Sequence, residues 1–449
     1  MAQKLMVLLL DGTWKDQDSG SIDTNIVRMQ EIINKSLSSK PAVSQSSHKL
    51  VAGRCFKKEG QEYLVFYQRG VGTGAFDRYS GGAFGEGLSE NIRRAYKFLS
   101  RYYEDGDQIF IFGFSRGAYT ARSLVGYIAA AGLLKGDHCT PEWEAKAWAY
   151  YRTSPNDRFP GLLSQLQPYM NDRDKLKIEC VGVFDTVGAL GIPLTLFRRL
   201  NREKYEFHNV ELSAITKVNL HAMAIDEHRY PFAATLWRKP KFKGFNTKTE
   251  QVWFPGAHSD VGGGYVPDEL RQCSYQHALD DIALDWMLRR LHFYFEDDFP
   301  VDLKVWRQLS SSWAMAPQHE PRDWFFKFWR FALRAIANYG FLVDRWHFEE
   351  IVSLDRRAEV IGEMVHISAL QRLGENVSIG RRQSQYRPKN LVALIDKIRA
   401  TYTNEPLDRE IKVVDWNGTP FNPKNATHCS KVLALIECAD RRLSKFASS

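Results

Sequence analysis

Residues 107–117 pass from a hydrophobic run through a glycine-flanked turn into a helix. The run Asp-Gln-Ile-Phe-Ile-Phe at 107–112 is typical of a buried strand. Residues 113–117 read Gly-Phe-Ser-Arg-Gly, and beyond them apolar residues recur at helical spacing as far as Ile128. Glycine on both sides indicates a turn that is too tight for a side chain at either flank. The stretch therefore predicts a strand–turn–helix unit.

Ser115 occupies the middle of this turn. The Gly-x-Ser-x-Gly spacing between a strand and a helix predicts a nucleophile elbow, in which the turn lifts the serine hydroxyl outward. The following helix would bring its partially positive N-terminus close to that hydroxyl. A simpler interpretation is an ordinary strand-to-helix turn with Ser115 as its capping residue. The surrounding pattern favours the nucleophile.

Strand-like and helix-like patterns alternate along the chain. The strand-like runs are Lys4–Leu10, Glu62–Tyr67, Gln108–Phe112, Lys177–Phe184 and Glu250–Phe254, and the helix-like runs are Leu88–Tyr103, Arg116–Ala131, Asn209–Met223 and Gln276–Phe295. Nearly continuous apolar strands separated by helices predict an α/β fold, with a mainly parallel sheet covered by helices on both faces. Such sheets keep their sites at the carboxyl ends of the strands.

The size of the chain suits one large core or two ordinary ones. It has 449 residues, of which 44% are hydrophobic and 25% charged, which excludes a disordered chain. We expect a catalytic domain over 1–399, with a helical insertion at 296–350, followed by a helical tail over 400–449 that packs on the core. The tail contains a candidate helix at Ser430–Leu443, and the Ser/Lys-rich segment 36–60 is expected to be a surface loop.

Charge and cysteine usage restrict the partners. The net charge is +8, but lysine and arginine are scattered and form no long run, so we expect no nucleic-acid partner. None of the six cysteines forms a C-x-x-C pair or a zinc-like spacing with histidine, so we expect no metal and no cofactor. The apolar stretch Leu5–Leu10 is too short for a signal peptide, and we expect synthesis in the cytoplasm without one.

Chemically marked loops follow several of the predicted strands. Asp185 comes directly after the run that ends at Phe184, and His258 lies shortly after the run that ends at Phe254. A serine hydroxyl needs a base to take its proton and an acid to orient that base. The order serine, aspartate, histidine matches hydrolases with this kind of sheet. We therefore expect Ser115, Asp185 and His258 to form a catalytic triad.

The same sequence allows other assignments. Asp260, two residues after His258, could act as the acid, with His366 as the base. Asp185 could instead cap a turn, and His258 could be a structural histidine. The run 221–229, His-Ala-Met-Ala-Ile-Asp-Glu-His-Arg, is predicted to be helical, with its polar residues bracing loops.

An acyl-transfer intermediate carries a negatively charged oxygen, which backbone N–H groups must stabilise. The amide of Arg116, directly after the nucleophile, is expected to be one donor. The loop after the first strand is expected to supply others from Gly12 and Thr13, unless that loop is a simple Asx turn. The glycine-rich run 69–74 lacks the Gly-Lys-Ser/Thr ending of a phosphate-binding loop.

Residues 323–338 combine many aromatic residues with a few polar ones. In a helix, at about 100° per residue, the polar residues would fall on one narrow stripe and the aromatic residues would cover the rest. Such a helix is either buried in the fold or dipped into a membrane surface. The membrane interpretation predicts peripheral contact through Trp324, Phe328 and Trp329.

Six motifs, in this order, carry a family resemblance. They are DGTW at 11–14, YQRGVGTG at 67–74, GFSRGAYTAR at 113–122, GVFDTVGALG at 182–191, HAMAIDEHR at 221–229 and WFPGAHSDVGGGY at 253–265. Over roughly residues 5–385 the chain resembles an α/β-hydrolase family once catalogued as of unknown function. That family includes the type VI secretion phospholipase effectors of the first lipase-effector class.

The resemblance implies an esterase or phospholipase that acts on acyl glycerophospholipids through a Ser–Asp–His triad, which maps by motif onto Ser115, Asp185 and His258. It also implies a secretion-system or immunity protein as partner and export by a leaderless route. We expect a serine hydrolase of phospholipase A type, with a phospholipid or other acyl ester as substrate. A non-lipid esterase or thioesterase, and a non-catalytic binding protein on a hydrolase scaffold, are the alternatives.

Overall fold

The computed structural model describes most of the chain, with several gaps. The described residues are 3–12, 23–38, 53–70, 81–187, 213–229, 232, 234–240, 246–264, 278–306, 309–321, 331–334, 336, 342–343, 348–349, 360–407 and 409–447. Every structural statement below concerns these residues.

Strands and helices alternate through the first half of the chain. The strands are β1 (Lys4–Leu10), β2 (Gly53–Lys58), β3 (Gln61–Gln68), β4 (Gln108–Phe114), β5 (Ile178–Phe184), β6 (Thr216–Ala224), β7 (Lys248–Phe254), β8 (Phe331–Ala332), β9 (Leu342–Val343), β10 (Phe348–Glu349), β11 (Glu363–His366), β12 (Asn376–Ile379), β13 (Arg382–Gln385) and β14 (Lys412–Val414). The α-helices are α1 (Asn25–Ser38), α2 (Gly81–Tyr102), α3 (Arg116–Ala131), α4 (Pro141–Arg152), α5 (Pro160–Leu166), α6 (His258–Gly262), α7 (Leu279–Phe295), α8 (Ile367–Arg372), α9 (Lys389–Thr403) and α10 (Ala426–Ala447). Single 3₁₀ turns lie at Gly136–His138, Pro155–Asp157, Gln167–Tyr169, Glu296–Asp298, Leu303–Val305 and Ser311–Met315.

The main sheet has nine strands in the order β14-β11-β7-β6-β5-β4-β1-β3-β2. The pairs β1–β3, β1–β4, β4–β5, β7–β11 and β11–β14 are parallel, and β2–β3 is antiparallel. Every residue of β5 and all but the first of β1 and of β4 are buried, as expected for strands covered on both faces. The predicted α/β fold with a mainly parallel sheet is therefore confirmed.

The chain divides into two compact units, which we describe one at a time. The first comprises residues 1–18, 26–220 and 235–249, and the second comprises residues 19–25, 221–234 and 250–449. Ser115 and Asp185 belong to the first unit and His258 to the second. No described helix combines the length and the apolar character needed to cross a membrane.

A buried carboxylate ties three helices of the first unit together. Glu144 of α4 is fully buried and accepts hydrogen bonds from the Nε and Nη2 atoms of Arg93 on α2. The hydroxyl of Tyr127 on α3 lies 3.4 Å from the same carboxylate. The Tyr127 ring stacks on Tyr96 of α2, with 4.0 Å between ring centroids. These contacts fix α3, the helix that follows the glycine-flanked turn.

Buried ion pairs also hold the strands of the second unit. Arg290 of α7 pairs with Glu250 of β7. The indole N–H of Trp253 donates to Glu363 of β11 over 2.8 Å, and Arg409 pairs with the same carboxylate. The end of β7, shortly before His258, is therefore anchored to its neighbouring strand β11.

Two local predictions were wrong. Residues 216–224 form β6, whereas the sequence pattern predicted a helix over Asn209–Met223 and helical structure for 221–229. All residues of β6 except Lys217 are buried, and the periodicity of a short, fully buried run does not separate a strand from a helix. The segment 36–60 is not simply a surface loop, because 53–58 form β2 and pair with β3.

The aromatic segment is not a continuous helix either. Residues 331–332 form β8, which pairs with β9 in a small antiparallel sheet. Arg334, predicted to lie on a polar stripe, is buried and donates to the carbonyl oxygens of Ala224 and Phe232. The polar end of Arg334 is thus used inside the fold, on backbone carbonyl groups. The predicted membrane contacts Trp324, Phe328 and Trp329 lie outside the described residues.

Candidate active site

Ser115 sits at a sharp turn between β4 and α3. Its φ of 57° and ψ of −119° place a non-glycine residue in a region that L-amino acids rarely adopt. The helix begins at the next residue, Arg116, so the turn is completed within a single residue. The closely packed backbone on both sides keeps Ser115 in this strained conformation. This geometry matches the predicted elbow.

The two flanking glycines are required by close backbone packing. A Cβ atom on Gly113 would lie 2.5 Å from the Gly117 carbonyl oxygen and 2.7 Å from the Ala118 Cα atom. A Cβ atom on Gly117 would collide with the Leu10 carbonyl and lie 2.5 Å from the Asp11 carbonyl oxygen. The prediction that neither position has room for a side chain is confirmed. Gly117 also shows that the elbow rests directly on the end of β1.

Asp185 follows the neighbouring strand β5. The amide of Ser115 donates to the carbonyl oxygen of Phe184 over 3.1 Å, so the elbow is bonded to the residue just before Asp185. Asp185 has no exposed surface and a positive φ of 39°. The carbonyl of the next residue, Thr186, accepts the amide of Thr235. The first unit thus brings the proposed nucleophile and the proposed acid to adjacent strand ends.

The loop after β1 lies against the elbow. A Cβ atom on Gly12 would be 3.2 Å from the Cβ atom of Ser115. The Gly12 amide donates to Asp11 Oδ1 over 2.7 Å, and the Tyr67 hydroxyl donates to Asp11 Oδ2 over 2.8 Å. In this structure the Gly12 amide is thus engaged by the carboxylate of the preceding residue, Asp11. Thr13 lies outside the described residues.

Arg116 provides the first amide of α3. The first N–H groups of a helix have no carbonyl partner within the helix, and they carry its partial positive charge. Burial lowers the pKa of the Arg116 side chain to about 10. The predicted oxyanion donor therefore stands directly after Ser115, at the positive end of a 16-residue helix.

In the second unit, three consecutive amides around His258 donate to three different carboxylates. Gly256 N–H donates to Asp226 Oδ2 over 2.7 Å, Ala257 N–H donates to Asp260 Oδ2 over 2.9 Å, and His258 N–H donates to Glu227 Oε2 over 3.3 Å. Hydrogen bonds to charged acceptors are stronger than neutral ones. The segment 256–258 is therefore fixed along its whole length, and His258 is 5% exposed at its end.

Glu227 accepts the backbone amide of His258. Burial would raise its pKa, but hydrogen bonds and charge from Arg229, with the charges of Arg334 and His258, hold the pKa of Glu227 below its ordinary value. The Arg229 guanidinium stacks over the Phe232 ring, which meets the His258 ring edge-on, with 5.2 Å between centroids. A negative charge is thus favoured on Glu227, beside the backbone of His258.

Asp226 has a different environment. It is held by the Gly256 amide and by the Tyr386 hydroxyl at 2.8 Å, and it is buried. Burial raises the pKa of Asp226 to about 7, although the hydrogen bonds from Gly256 and Tyr386 lower it. Asp226 therefore changes its protonation near neutral pH and acts on the loop rather than on the imidazole of His258.

The two alternative triad members are not paired with each other. Asp260 Oδ1 lies 2.6 Å from Nδ1 of His319, and Asp260 Oδ2 also accepts the His319 amide over 3.1 Å. His366 is buried, with Nδ1 2.8 Å from the Ser368 hydroxyl and its ring stacked on Phe254. Burial lowers the pKa of His366 to about 3, so this imidazole stays neutral.

The prediction that polar residues of 221–229 brace loops is confirmed for Asp226, which accepts the Gly256 amide, whereas the roles of Glu227 and His319 were not predicted. Glu227 lies shortly after β6, as Asp185 lies after β5, but the sequence pattern of β6 predicted a helix. His319 has no such signal, since it lies between a 3₁₀ turn and β8 without glycine or strand pattern around it. Among the described residues, no group of three His, Cys, Asp or Glu side chains could hold a metal ion.

A family model gives the first external comparison. The model of the catalytic domain of the Tle1-like phospholipase effectors of the type VI secretion system matches residues 4–290. The chain belongs to the Tle1-like phospholipase effector family. Within this Tle1-like match lie the elbow, Asp185 and the carboxylate-bound loop of His258. The resemblance inferred from the six motifs is thereby confirmed.

Individual relatives of this Tle1-like chain are distant. An uncharacterized protein of Saccharomyces cerevisiae is 32% identical over 197 residues, which cover 39% of this chain and 27% of the relative. The structure of the Tle1 effector bound to the VgrG spike of the type 6 secretion system is 19% identical, with a TM-score of 0.31, and covers 59% of this chain and 52% of that one. An uncharacterized protein from Pseudomonas aeruginosa is 16% identical, with a TM-score of 0.31, and covers 69% and 48%. The chain thus spans between 27% and 52% of the length of these relatives.

Proposed function

We propose that this chain is a serine hydrolase that cleaves carboxylic esters of phospholipids, with Ser115 as nucleophile and an acyl-enzyme as intermediate. The backbone of Ser115 carries this proposal. A strained, left-handed serine between a buried strand and a helix N-terminus is costly to maintain, and such strain concentrates at functional sites. Family membership supplies the class of substrate.

In the proposed mechanism the hydroxyl of Ser115 attacks the acyl carbonyl while His258 takes its proton. The same imidazolium then protonates the departing alcohol, and water hydrolyses the acyl-enzyme by the same steps in reverse. Asp185 orients the imidazole of His258 and stabilises its positive charge. Its complete burial and its position one residue after the carbonyl that binds Ser115 N–H support this assignment.

The proposed oxyanion donors are the amides of Arg116, Gly12 and Thr13. Arg116 is best supported, because it begins α3 directly after Ser115. The Gly12 amide donates to Asp11 in this structure, so its use for the oxyanion requires the substrate oxygen to displace that carboxylate. Peripheral membrane contact through Trp324, Phe328 and Trp329 is part of the same proposal.

A fluorophosphonate probe, which labels activated serines, tests the mechanism. The 449-residue chain is compared with Ser115→Ala, Asp185→Asn and His258→Ala, and each is also assayed for fatty-acid release from phosphatidylcholine vesicles. We expect labelling to vanish in Ser115→Ala and to slow by about 10³-fold or more in the other two. Ser123→Ala, on the same helix as Arg116, is the control and should be labelled at the parental rate.

The outcomes separate the candidate functions. Labelling together with release from long-chain lipids supports the phospholipase. Labelling with turnover of short-chain esters or thioesters alone supports a non-lipid hydrolase. Absence of labelling in the folded parent protein would contradict the enzyme and leave a binding protein on a hydrolase scaffold.

A secretion-system component and an immunity protein are the proposed protein partners, and export without a leader peptide is the proposed route. The family description, which names the type VI secretion system, supports them. Co-purification of the tagged chain from a host that carries such a system, with and without its spike protein, tests the first partner.

A further inference from the structure

We propose that His319 is a positioning residue for the loop that carries His258: it holds the Asp260 carboxylate where that carboxylate accepts the Ala257 amide. This inference rests on the proposed function, because it assigns His319 a role in presenting the proposed base. It concerns contacts within the second unit only.

The loop rests directly on the Asp260 side chain. Asp260 Oδ2 accepts the Ala257 amide over 2.9 Å, and the Asp260 amide donates back to the Ala257 carbonyl over 2.9 Å. Gly256 has a φ of 110°, and a Cβ atom there would lie 2.5 Å from the Asp260 Cβ atom. Rotation of the Asp260 side chain would therefore break its hydrogen bond with the Ala257 amide, one residue before His258.

His319 fixes that rotation with two contacts. Its Nδ1 lies 2.6 Å from Asp260 Oδ1, and its backbone amide donates to Asp260 Oδ2 over 3.1 Å. Both carboxylate oxygens are thus held from the same residue. Because a carboxylate accepts only, Nδ1 of His319 carries the hydrogen.

The backbone on which His319 stands is itself anchored. The amide of the preceding residue, Gln318, donates to the Ser378 carbonyl over 2.9 Å, and the Gly380 amide donates to the Gln318 carbonyl over 2.8 Å. Arg372 reaches the Gln318 side chain at 3.4 Å. His319 therefore links the loop of His258 to the β12–β13 hairpin.

The three carboxylates differ in what holds them. Glu227 is held by Arg229, whose side chain is 10% exposed, and Asp226 is held by Tyr386, which is buried. The side chain of His319 is 25% exposed, whereas that of Asp260 is 3% exposed. His319 is thus the holding side chain that can be removed with the smallest loss of buried volume, which makes it the most informative position to vary.

The test compares His319→Ala with His319→Asn in the 449-residue chain. The Asn side-chain N–H can replace the Nδ1 donor toward Asp260, whereas Ala removes it. His292→Ala is the matched control, since His292 is an exposed histidine of the same unit. Amide hydrogen exchange of the peptide that spans 255–262 is measured first, because it does not depend on catalysis.

We expect His319→Ala to speed exchange of that peptide by roughly 10-fold or more, and His319→Asn to restore most of the protection. For the active enzyme, His319→Ala should lower kcat by about 10- to 100-fold with KM changed by less than about twofold, since misplacement of the base affects the reaction more than binding. Added imidazole should recover part of the loss, because the site is partly open to solvent.

Unchanged exchange in His319→Ala would overturn the proposal, whether or not the protein is an enzyme. So would an equal loss in His319→Ala and His319→Asn when both remain folded. If the parent protein shows neither labelling nor lipid release, the proposed function fails, and the exchange data still decide whether His319 positions the loop. If His319→Ala abolishes labelling as completely as His258→Ala does, His319 is itself the base, and the positioning role is wrong.

Discussion

The amide of Ser115 donates to the carbonyl oxygen of Phe184 over 3.1 Å. This bond joins the elbow at the end of β4 to the end of β5, one residue before Asp185. The position of the proposed nucleophile is therefore coupled to that of the proposed acid through backbone alone. Side-chain changes near either residue should alter reactivity without separating the two strand ends.

Gly117→Ala should inactivate the protein and destabilise it. The added methyl group would overlap the Leu10 carbonyl and lie 2.5 Å from the Asp11 carbonyl oxygen, so the elbow or β1 must move. Overpacking of this kind costs about 1–3 kcal/mol. We expect that loss in urea unfolding, together with at least a 100-fold slower reaction with the fluorophosphonate probe.

Gly126→Ala, on the same helix, is the matched control. A Cβ atom there meets only the Tyr151 ring, at the ordinary contact distance of 3.5 Å. Alanine is favoured over glycine within a helix by about 1 kcal/mol, so this variant should be as stable as the parent or more so. If Gly117→Ala behaved like Gly126→Ala, the packing argument for the elbow would be wrong.

Arg93→Ala should destabilise the first unit far more than Arg94→Ala, although the two residues are neighbours on α2. Arg93 neutralises Glu144, whose side chain has no exposed surface, whereas the Arg94–Glu90 pair is exposed on both sides. Removal of one partner from a buried pair costs about 3–5 kcal/mol, whereas an exposed pair contributes about 0–1 kcal/mol.

Thermal and urea unfolding measure this difference. Glu144→Gln should be milder than Arg93→Ala, because the Arg93 side chain is 33% exposed and can be hydrated once its partner is neutral. Similar losses in Arg93→Ala and Arg94→Ala would show that Glu144 finds another partner, for example Lys97, which lies 3.9 Å away.

Asp226→Asn should remove a pH dependence of folding. The folded pKa of Asp226 is raised to about 7 from an ordinary value of 3.8, so between these pH values the folded state holds a proton that the unfolded state has released. The stability that this group contributes is fully present below about pH 4 and is lost as pH rises through about 7. The loss is on the order of 4 kcal/mol, since each pKa unit corresponds to about 1.4 kcal/mol.

The free energy of unfolding of the parent and of Asp226→Asn is measured from pH 4 to pH 8. We expect the variant to gain stability relative to the parent as pH rises, with a plateau above about pH 7.5. The asparagine carbonyl can still accept from Gly256 and Tyr386. A constant difference across this range would mean that Asp226 does not titrate there in the folded state.

His366→Asn should leave the reaction nearly intact. His366 is fully buried, its pKa is lowered to about 3, and its Nδ1 faces Ser368, so it is a poor base at neutral pH. The asparagine oxygen can accept from Ser368 as Nδ1 does. We expect probe labelling within about threefold of the parent once the folded fraction is taken into account, against a loss of about 10³-fold for His258→Asn.

The acidic limb of the pH–rate profile gives an independent check of this assignment. It should be the same in the parent and in His366→Asn, since a neutral, buried imidazole has no proton to lose in that range. An acidic limb that shifts in this variant would restore His366 as a candidate base.

The sequence by itself determined the α/β fold and the elbow. Continuous apolar runs such as Lys4–Leu10 form strands that are buried on both faces. The glycines at 113 and 117 allow close backbone contacts that no side chain would permit. Both features can be recognised from the local sequence. Both ends of the helix Arg116–Ala131 were predicted correctly, because its apolar residues recur at helical spacing and it begins directly after the turn.

Only the tertiary structure decided how the loop of His258 is held. The carboxylates that bind 256–258 come from residues 226, 227 and 260, and His319 secures the last of them. The most distant of these partners, His319, lies about sixty residues after His258 in the sequence. No local periodicity can therefore encode these contacts. The tertiary structure also decided β6 and the position of Arg334, although their sequence patterns favoured a helix. β6 is buried between neighbouring strands, and Arg334 is buried where it donates to backbone carbonyl groups.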